Sequence, residues 1–200
     1  MHPMQPTDEE LIEAHLKGDG SAFPALVGRY LDQAYDLALR LGGGDDANDI
    51  TQEAFIKAWR NLKRYRREAA SFRTWMFAIL RNTAIDFARK KSRKGSSPFS
   101  AFDTEDGGNR LLETLPDDAP QPDDLFAEAE SKEALERALA ALPFRAREVL
   151  LLKYFEDMTF DEIGRALGEP LNTVKSRHRR ALALVRSALK KDQNGTEPRI

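Results

Sequence analysis

Apolar residues recur at steps of three and four along most of this 200-residue chain, and no stretch alternates apolar with polar. The first spacing is the signature of a helix with one buried face and the second that of a half-buried strand. The pattern therefore predicts an all-α fold. Thr7 with Glu10 makes a capping box ahead of Leu11, Ile12 and Leu16. Pro24 suits a first helical turn and leads into Leu26, Val27, Tyr30, Leu31, Ala34, Leu37, Ala38 and Leu41. Gly42, Gly43 and Gly44 stop that helix, and Asp45–Asp46 open another with Ala47, Ile50, Ala54 and Ala58 on one stripe. Ser71 is a good N-cap for a further helix, in which Phe72, Trp75, Met76, Ile79, Leu80, Thr83 and Phe87 keep the spacing as far as the Lys90–Lys94 run. The pattern returns near Ala127 with Leu135, Leu139 and Leu142, and again after Pro143 with Val149, Leu150, Leu152 and Tyr154.

Residues 95–124 interrupt this order with Ser-Ser-Pro, Gly-Gly, four of the ten prolines and many acids. A segment of that composition buries too little apolar surface to offset its ordering entropy. It reads as a flexible acidic linker in which Leu111, Leu112 and Leu115 are the candidates to dock. Two small helical domains follow, over 1–95 and 128–192, joined across 96–127 and ending in a disordered tail at 193–200. No solenoid repeat is visible.

Composition removes several classes of function. With 41% hydrophobic residues and 12 glycines a sizeable core is possible. Cysteine is absent, which excludes disulfides, thiolate metal sites and a cysteine nucleophile, and suits a reducing compartment. His2, His15 and His178 are too scattered for a zinc cluster or a triad. No cofactor or metal is expected. The longest unbroken apolar run, Trp75–Leu80, falls far short of a bilayer span, and the acidic Asp8-Glu9-Glu10 start lacks the basic, apolar lead of a signal peptide. A cytoplasmic protein that does not insert into membranes is expected.

The net charge of −2 conceals blocks of opposite sign. Residues 1–56 hold 11 acids and 3 bases, and residues 57–94 hold 13 bases and 2 acids. Residues 103–136 hold 12 acids and 2 bases, and residues 143–191 hold 11 bases and 6 acids. Two basic blocks parted by an acidic one suggest two polyanion-binding surfaces.

Near the C-terminus, Thr159 and Glu162 form a second capping box before Ile163, Ala166 and Leu167; Gly168 supplies a turn and Pro170 forbids continuation. Leu171 or Asn172 then starts a helix with Val174, His178, Ala181, Leu182, Val185 and Leu189 on one face. This is the helix-turn-helix arrangement. The other face of the second helix carries Thr173, Lys175, Ser176, Arg179 and Arg180, with Arg177 at the flank. Arg177 and Arg180 are the expected base readers, because arginine pairs bidentately with guanine, while Lys190 and Lys191 reach only backbone or solvent. His178, on the apolar stripe, is expected to pack rather than to ligate. In the first half, cations alternate with Trp59, Tyr65, Phe72, Trp75, Phe77 and Phe87, a mixture suited to single-stranded nucleic acid. Most of these rings sit at core spacing, which leaves Tyr65 in the basic loop as the stacking candidate. Asp49, Gln52 and Glu53 lie one turn apart on an acidic face, either solvated or a docking patch for a basic partner.

The stretches Asp45–Trp59 (DDANDITQEAFIKAW), Ser71–Asp86 (SFRTWMFAILRNTAID) and Thr173–Arg177 (TVKSR) resemble bacterial sigma factors. The short connection between the halves resembles the extracytoplasmic-function group. The resemblance implies that the first domain binds the clamp helices of the largest subunit of core RNA polymerase and opens the minus-10 element of promoter DNA. It implies that the second reads the minus-35 element and rests on the flap of the other large subunit. An anti-sigma factor is the further partner implied, the function is regulatory rather than enzymatic, and the acidic segment becomes a spacer. Carried over, Asp49, Gln52 and Glu53 are the polymerase contact. Lys63, Arg64, Tyr65, Arg66 and Arg67, in the loop to Ser71, hold a flipped base, and Arg81, Asn82, Asp86 and Arg89 read the minus-10 element. Asn172, Thr173, Lys175, Ser176, Arg177, Arg179 and Arg180 read the minus-35 element. The chain departs from many relatives at Asn172, where they carry glycine, a change that bears on base preference. A plain helix-turn-helix regulator would explain the second half but leaves the 57–94 block without a role. A nuclease would need carboxylates clustered for metal ions, and here the acids fall in caps, one helix face and the linker.

Overall fold

A computed structural model describes residues 5–93 and 131–195. The expected linker over 96–127, with Leu111, Leu112 and Leu115, and the end of the expected tail lie outside the described residues, as does the onset near Ala127. Among the described residues there is helix and no strand. The chain divides into two compact units, the first formed by the residues up to Phe87 with Arg165–Leu167.

In the first unit α1 (Asp8–Leu16), α2 (Ala22–Ala38) and α3 (Ala47–Asn61) pack in sequence, and α4 (Phe72–Arg93) follows. The caps written in the sequence are formed. The Thr7 hydroxyl accepts from the Glu10 N–H, and the Glu10 carboxylate takes the Thr7 N–H in return at 2.7 Å. Ser71 Oγ accepts the Thr74 N–H at 3.2 Å. Arg29 and Tyr30 both donate to Asp8, tying α2 to the start of α1. The core is built from Leu26, Leu37, Leu41, Ile50, Leu62, Phe72, Met76, Phe77 and Leu80. Burial of each such side chain contributes roughly 1.5–3 kcal/mol. On α4 the inward stripe is Phe72, Met76, Leu80, Thr83, Ala84 and Ala88, with Phe77 beside it, while Trp75, Ile79 and Phe87 are only half-buried.

The second unit contains α5 (Lys132–Ala140), α6 (Phe144–Tyr154), the part of α7 (Phe160–Leu167) as far as Gly164, and α8 (Leu171–Gly195). Ser131 caps α5, its Oγ accepting the Ala134 N–H at 3.2 Å. α8 packs against α6 and α5, with Val149, Leu151, Leu152, Ile163, Val174, Ala181, Val185 and Leu189 buried. α8 runs to Gly195, so its last turn extends into the stretch expected as tail. Thr159 and Glu162 form the second capping box, and Gly168 ends α7 in the left-handed region at φ 69°. A Cβ on Gly164 would lie 2.9 Å from the Glu169 carbonyl oxygen, a backbone atom. Only glycine lets the turn approach α7 so closely, and the Glu169 N–H uses that proximity to donate to the Gly164 carbonyl at 2.9 Å.

Candidate docking and nucleic-acid interfaces

α3 buries Ala47, Ile50, Thr51, Ala54, Phe55 and Ala58. Steps of three and four from Asp49 therefore place Gln52 and Glu53 on the outer side. Asp49 and Gln52 are exposed and Glu53 is half-buried. Asp49 and Gln52 border a groove of about 710 Å³ whose walls include Phe23, Val27, Leu31, Phe55, Ile56 and Trp59. Trp59 is 53% exposed and Leu31 44% exposed. A large apolar surface left in water beside polar groups is the mark of an interaction site. The sequence revealed the polar rim but not the groove, because its walls come from three helices.

The loop after α3 holds Lys63, Arg64, Arg66 and Arg67, all exposed. The Arg66 guanidinium donates to the Lys63 and Tyr65 carbonyls, each at 3.3 Å. Tyr65 departs from the expectation of a free stacking ring. It meets Phe72 edge-on at 5.9 Å and Trp75 at 5.5 Å, and its hydroxyl oxygen is buried with no hydrogen-bond partner among the described residues. Burial, with Glu9 and Asp8 adding negative charge, pushes the phenol up to about 12. Local structure explains the difference. The turn Leu62–Arg64 carries the chain back over α4, and the Tyr65 N–H donates to the Leu62 carbonyl at 3.1 Å. Tyr65 is thus a wall of the loop.

On α4, Asn82, Asp86 and Arg89 are exposed at spacings that share one helix face, and Arg81 flanks them half-buried. Arg81 donates to Asn82 Oδ1 at 3.0 Å. Lys57 Nζ donates to Asp86 Oδ2 at 3.1 Å and to Thr83 Oγ1 at 3.2 Å, pinning α3 to α4. The structure thus gathers the α4 residues as the spacing implied and links one of them to α3.

On α8, Asn172, Thr173, Lys175 and Arg179 are exposed, and Ser176 and Arg180 are half-buried. Arg177 contradicts the expectation: it is 5% exposed and faces inward. One guanidinium nitrogen donates to Glu169 Oε1 at 2.8 Å and the other lies 2.7 Å from Oε2. Glu148 of α6, fully buried, approaches to 3.8 Å, and Arg145 of α6 reaches the same Glu169 at 3.2 Å. The reason is positional. Arg177 follows Val174 by three residues and precedes Ala181 by four, and both of those are 0% exposed. A charge on that stripe is tolerated only when paired, and Glu148 and Glu169 pair it. Arg177 therefore leaves the set of base readers. The missed partner had a signal, since Glu148 interrupts a run of core positions, Ala146, Val149, Leu150 and Leu151.

His178 packs as its spacing implied. Its Nε2 lies 2.8 Å from the Tyr154 hydroxyl, and Phe160 meets it edge-on at 4.9 Å. Burial, with the Lys153 ammonium nearby, brings its pKa down to about 4. Among the described residues no group of histidines or carboxylates is arranged to hold a metal ion, and no helix is long and apolar enough to cross a membrane.

Residues 26–94 match the family model for Sigma-70 region 2, and residues 132–185 match that for Sigma-70 region 4. The chain is 34% identical over 178 residues to the ECF RNA polymerase sigma factor SigW of Bacillus subtilis, covering 87% of this chain and 92% of that one. It is also 34% identical over 180 residues to the ECF RNA polymerase sigma-E factor of Escherichia coli K12, covering 88% and 91%. The same fold occurs in the sigma factor RpoE of Bartonella quintana, solved in complex with the anti-sigma factor NepR (TM-score 0.61, 22% identity, 85% of this chain and 98% of that chain). CnrH, solved with the cytosolic domain of CnrY, shares it too (TM-score 0.59, 22% identity, 92% and 98%). With both regions present in order, the chain belongs to the extracytoplasmic-function group of the sigma-70 family of transcription-initiation factors.

Proposed function

We propose that this chain binds core RNA polymerase through the α3 face and its adjoining groove, and directs it to promoters with a minus-10 and a minus-35 element. Asp49, Gln52 and Glu53 meet a basic surface on the clamp of the largest subunit. Lys63, Arg64, Arg66 and Arg67 hold the displaced strand, with Tyr65 supporting the loop from behind, and Arg81, Asn82, Asp86 and Arg89 read the minus-10 element. Asn172, Thr173, Lys175, Ser176, Arg179 and Arg180 enter the major groove of the minus-35 element, as the N-terminal residues of a recognition helix do. Residues 1–95 and 128–192 are the working domains, 96–127 the connection, and the second domain rests on the flap of the other large subunit. The chain acts in the cytoplasm, has no catalytic role of its own, and is held by an anti-sigma factor until a stress or envelope signal releases it.

One observation carries this reading. A single small helical unit presents an acidic face bordering an apolar groove on α3, and an exposed basic loop immediately after that helix. A protein that must grip both a protein and a polyanion needs two such surfaces. The test is the double reversal Asp49→Lys/Glu53→Lys in the full chain. It should weaken capture of core polymerase at moderate salt while leaving helix content unchanged, and wild-type capture would remove the assignment.

A further inference from the structure

We propose that Arg177 is a positioning residue for sequence readout, its buried ion pairs setting the rotation of α8 about its own axis and hence which bases the exposed face meets. This rests on α8 being the minus-35 reading helix. The apolar seam of α8, with Val174, Ala181, Leu182, Val185 and Leu189, is non-directional and tolerates small rotations. A guanidinium is different. It is planar and rigid, and it pairs with a carboxylate in a fixed two-pronged geometry.

Here the fork is held from two directions. Glu169, in the turn before α8, accepts a hydrogen bond from one guanidinium nitrogen at 2.8 Å and holds the other in ion-pair contact at 2.7 Å, and Glu148 approaches from α6 at 3.8 Å. Arg145 of α6 holds Glu169 from the other side at 3.2 Å. One charge network thus ties α6, the turn and the second turn of α8 together. Stability alone does not call for it, because a well-packed apolar replacement of a buried ion network is often neutral. Orientation does. A rotation of α8 by about 20° would carry side-chain atoms about 6 Å from its axis through about 2 Å. That displacement exceeds the whole spread of distances over which a hydrogen bond to a base edge is made.

The experiment uses holoenzyme reconstituted from core RNA polymerase and the full chain. The wild type first selects its minus-35 sequence from duplexes randomised there, and preference is the ratio of binding to the selected over a scrambled element. The triple variant Glu148→Gln/Glu169→Gln/Arg177→Met removes the three charges together and keeps their volume. The expected result is melting within a few degrees of wild type and a preference lowered about tenfold or moved to another sequence. Wild-type preference in a normally melting triple variant overturns the proposal. If the triple variant melts early, Arg177→Lys decides, since it keeps the charge and gives up the fork. Reduced preference in Arg177→Lys supports the positioning role, and unchanged preference overturns it. A wild-type holoenzyme that selects no minus-35 sequence contradicts the reading of α8 itself, and the proposal falls with it.

Discussion

Replacing Tyr65 by phenylalanine should stabilise the first unit, although it deletes a polar group from a basic loop. The hydroxyl oxygen is buried without a hydrogen-bond partner among the described residues, while the ring sits 5.9 Å from Phe72 and 5.5 Å from Trp75. An unsatisfied buried hydroxyl costs about 1–3 kcal/mol. Tyr65→Phe removes that cost and keeps both ring contacts, so a gain of about 1–2 kcal/mol is expected, and each kcal/mol raises the Tm of a small domain by roughly 4–8 °C. Tyr65→Ala should instead lose two aromatic contacts worth about 0.5–1.5 kcal/mol each and the apolar area beneath them. Both tryptophans, Trp59 and Trp75, lie in the first unit, so their fluorescence during heating of the full chain reports on that unit alone. Any loss of promoter opening in Tyr65→Ala should accompany this drop in Tm. A Tyr65→Phe variant melting below wild type would refute the reasoning, because the hydroxyl would then have a partner. The folded pKa of about 12 lies above the ordinary tyrosine value of 10.0. Wild-type stability should therefore hold below pH 10 and fall between pH 10 and 12, where the phenol ionises in the unfolded chain but not in the folded one, and Tyr65→Phe should lack that fall in an alkaline series.

Gly164→Ala places a Cβ 2.9 Å from the Glu169 carbonyl oxygen and should destabilise the second unit by about 1–3 kcal/mol in urea unfolding, despite alanine's better helix propensity. The pKa of His178, about 4 against the usual 6.5, lies below its unfolded value. Its contribution is present above pH 6.5 and lost as pH falls through 4, so His178→Gln should flatten the acid side of the stability curve. On α8, Arg180→Ala in holoenzyme should cost about 1–3 kcal/mol at one or two minus-35 positions. Lys190→Ala should weaken every sequence alike and lower the salt slope by about 0.9, which titration at several salt concentrations distinguishes.

The fold was legible where local chemistry decides it. Thr7, Ser71 and Thr159 cap helices as their sequences indicate, and Gly168 ends α7 in the conformation glycine favours. The α4 face of Asn82, Asp86 and Arg89 follows from spacing alone. What stayed hidden depends on contacts between distant segments. Arg177 reads as a flanking surface arginine until Glu148, 29 positions earlier, is found beneath it. Periodicity puts Arg177 in step with Val174 and Ala181, while its charge suggests the surface. Tyr65 differs for a related reason, since a basic loop suggests exposure whereas Phe72 and Trp75 pack against the ring. The α3 groove has no one-dimensional signature, because Phe23 and Leu31 of α2 face Phe55 and Trp59 of α3 only after folding.

Initiation in a purified system tests the central claim most directly. Core RNA polymerase, with and without the full chain, is given a library of genomic fragments, and the 5′ ends of the transcripts are sequenced. Start sites that appear only with the chain, preceded by two short motifs at a constant spacing, are the predicted result. Transcript ends that are the same with and without the chain would contradict the account.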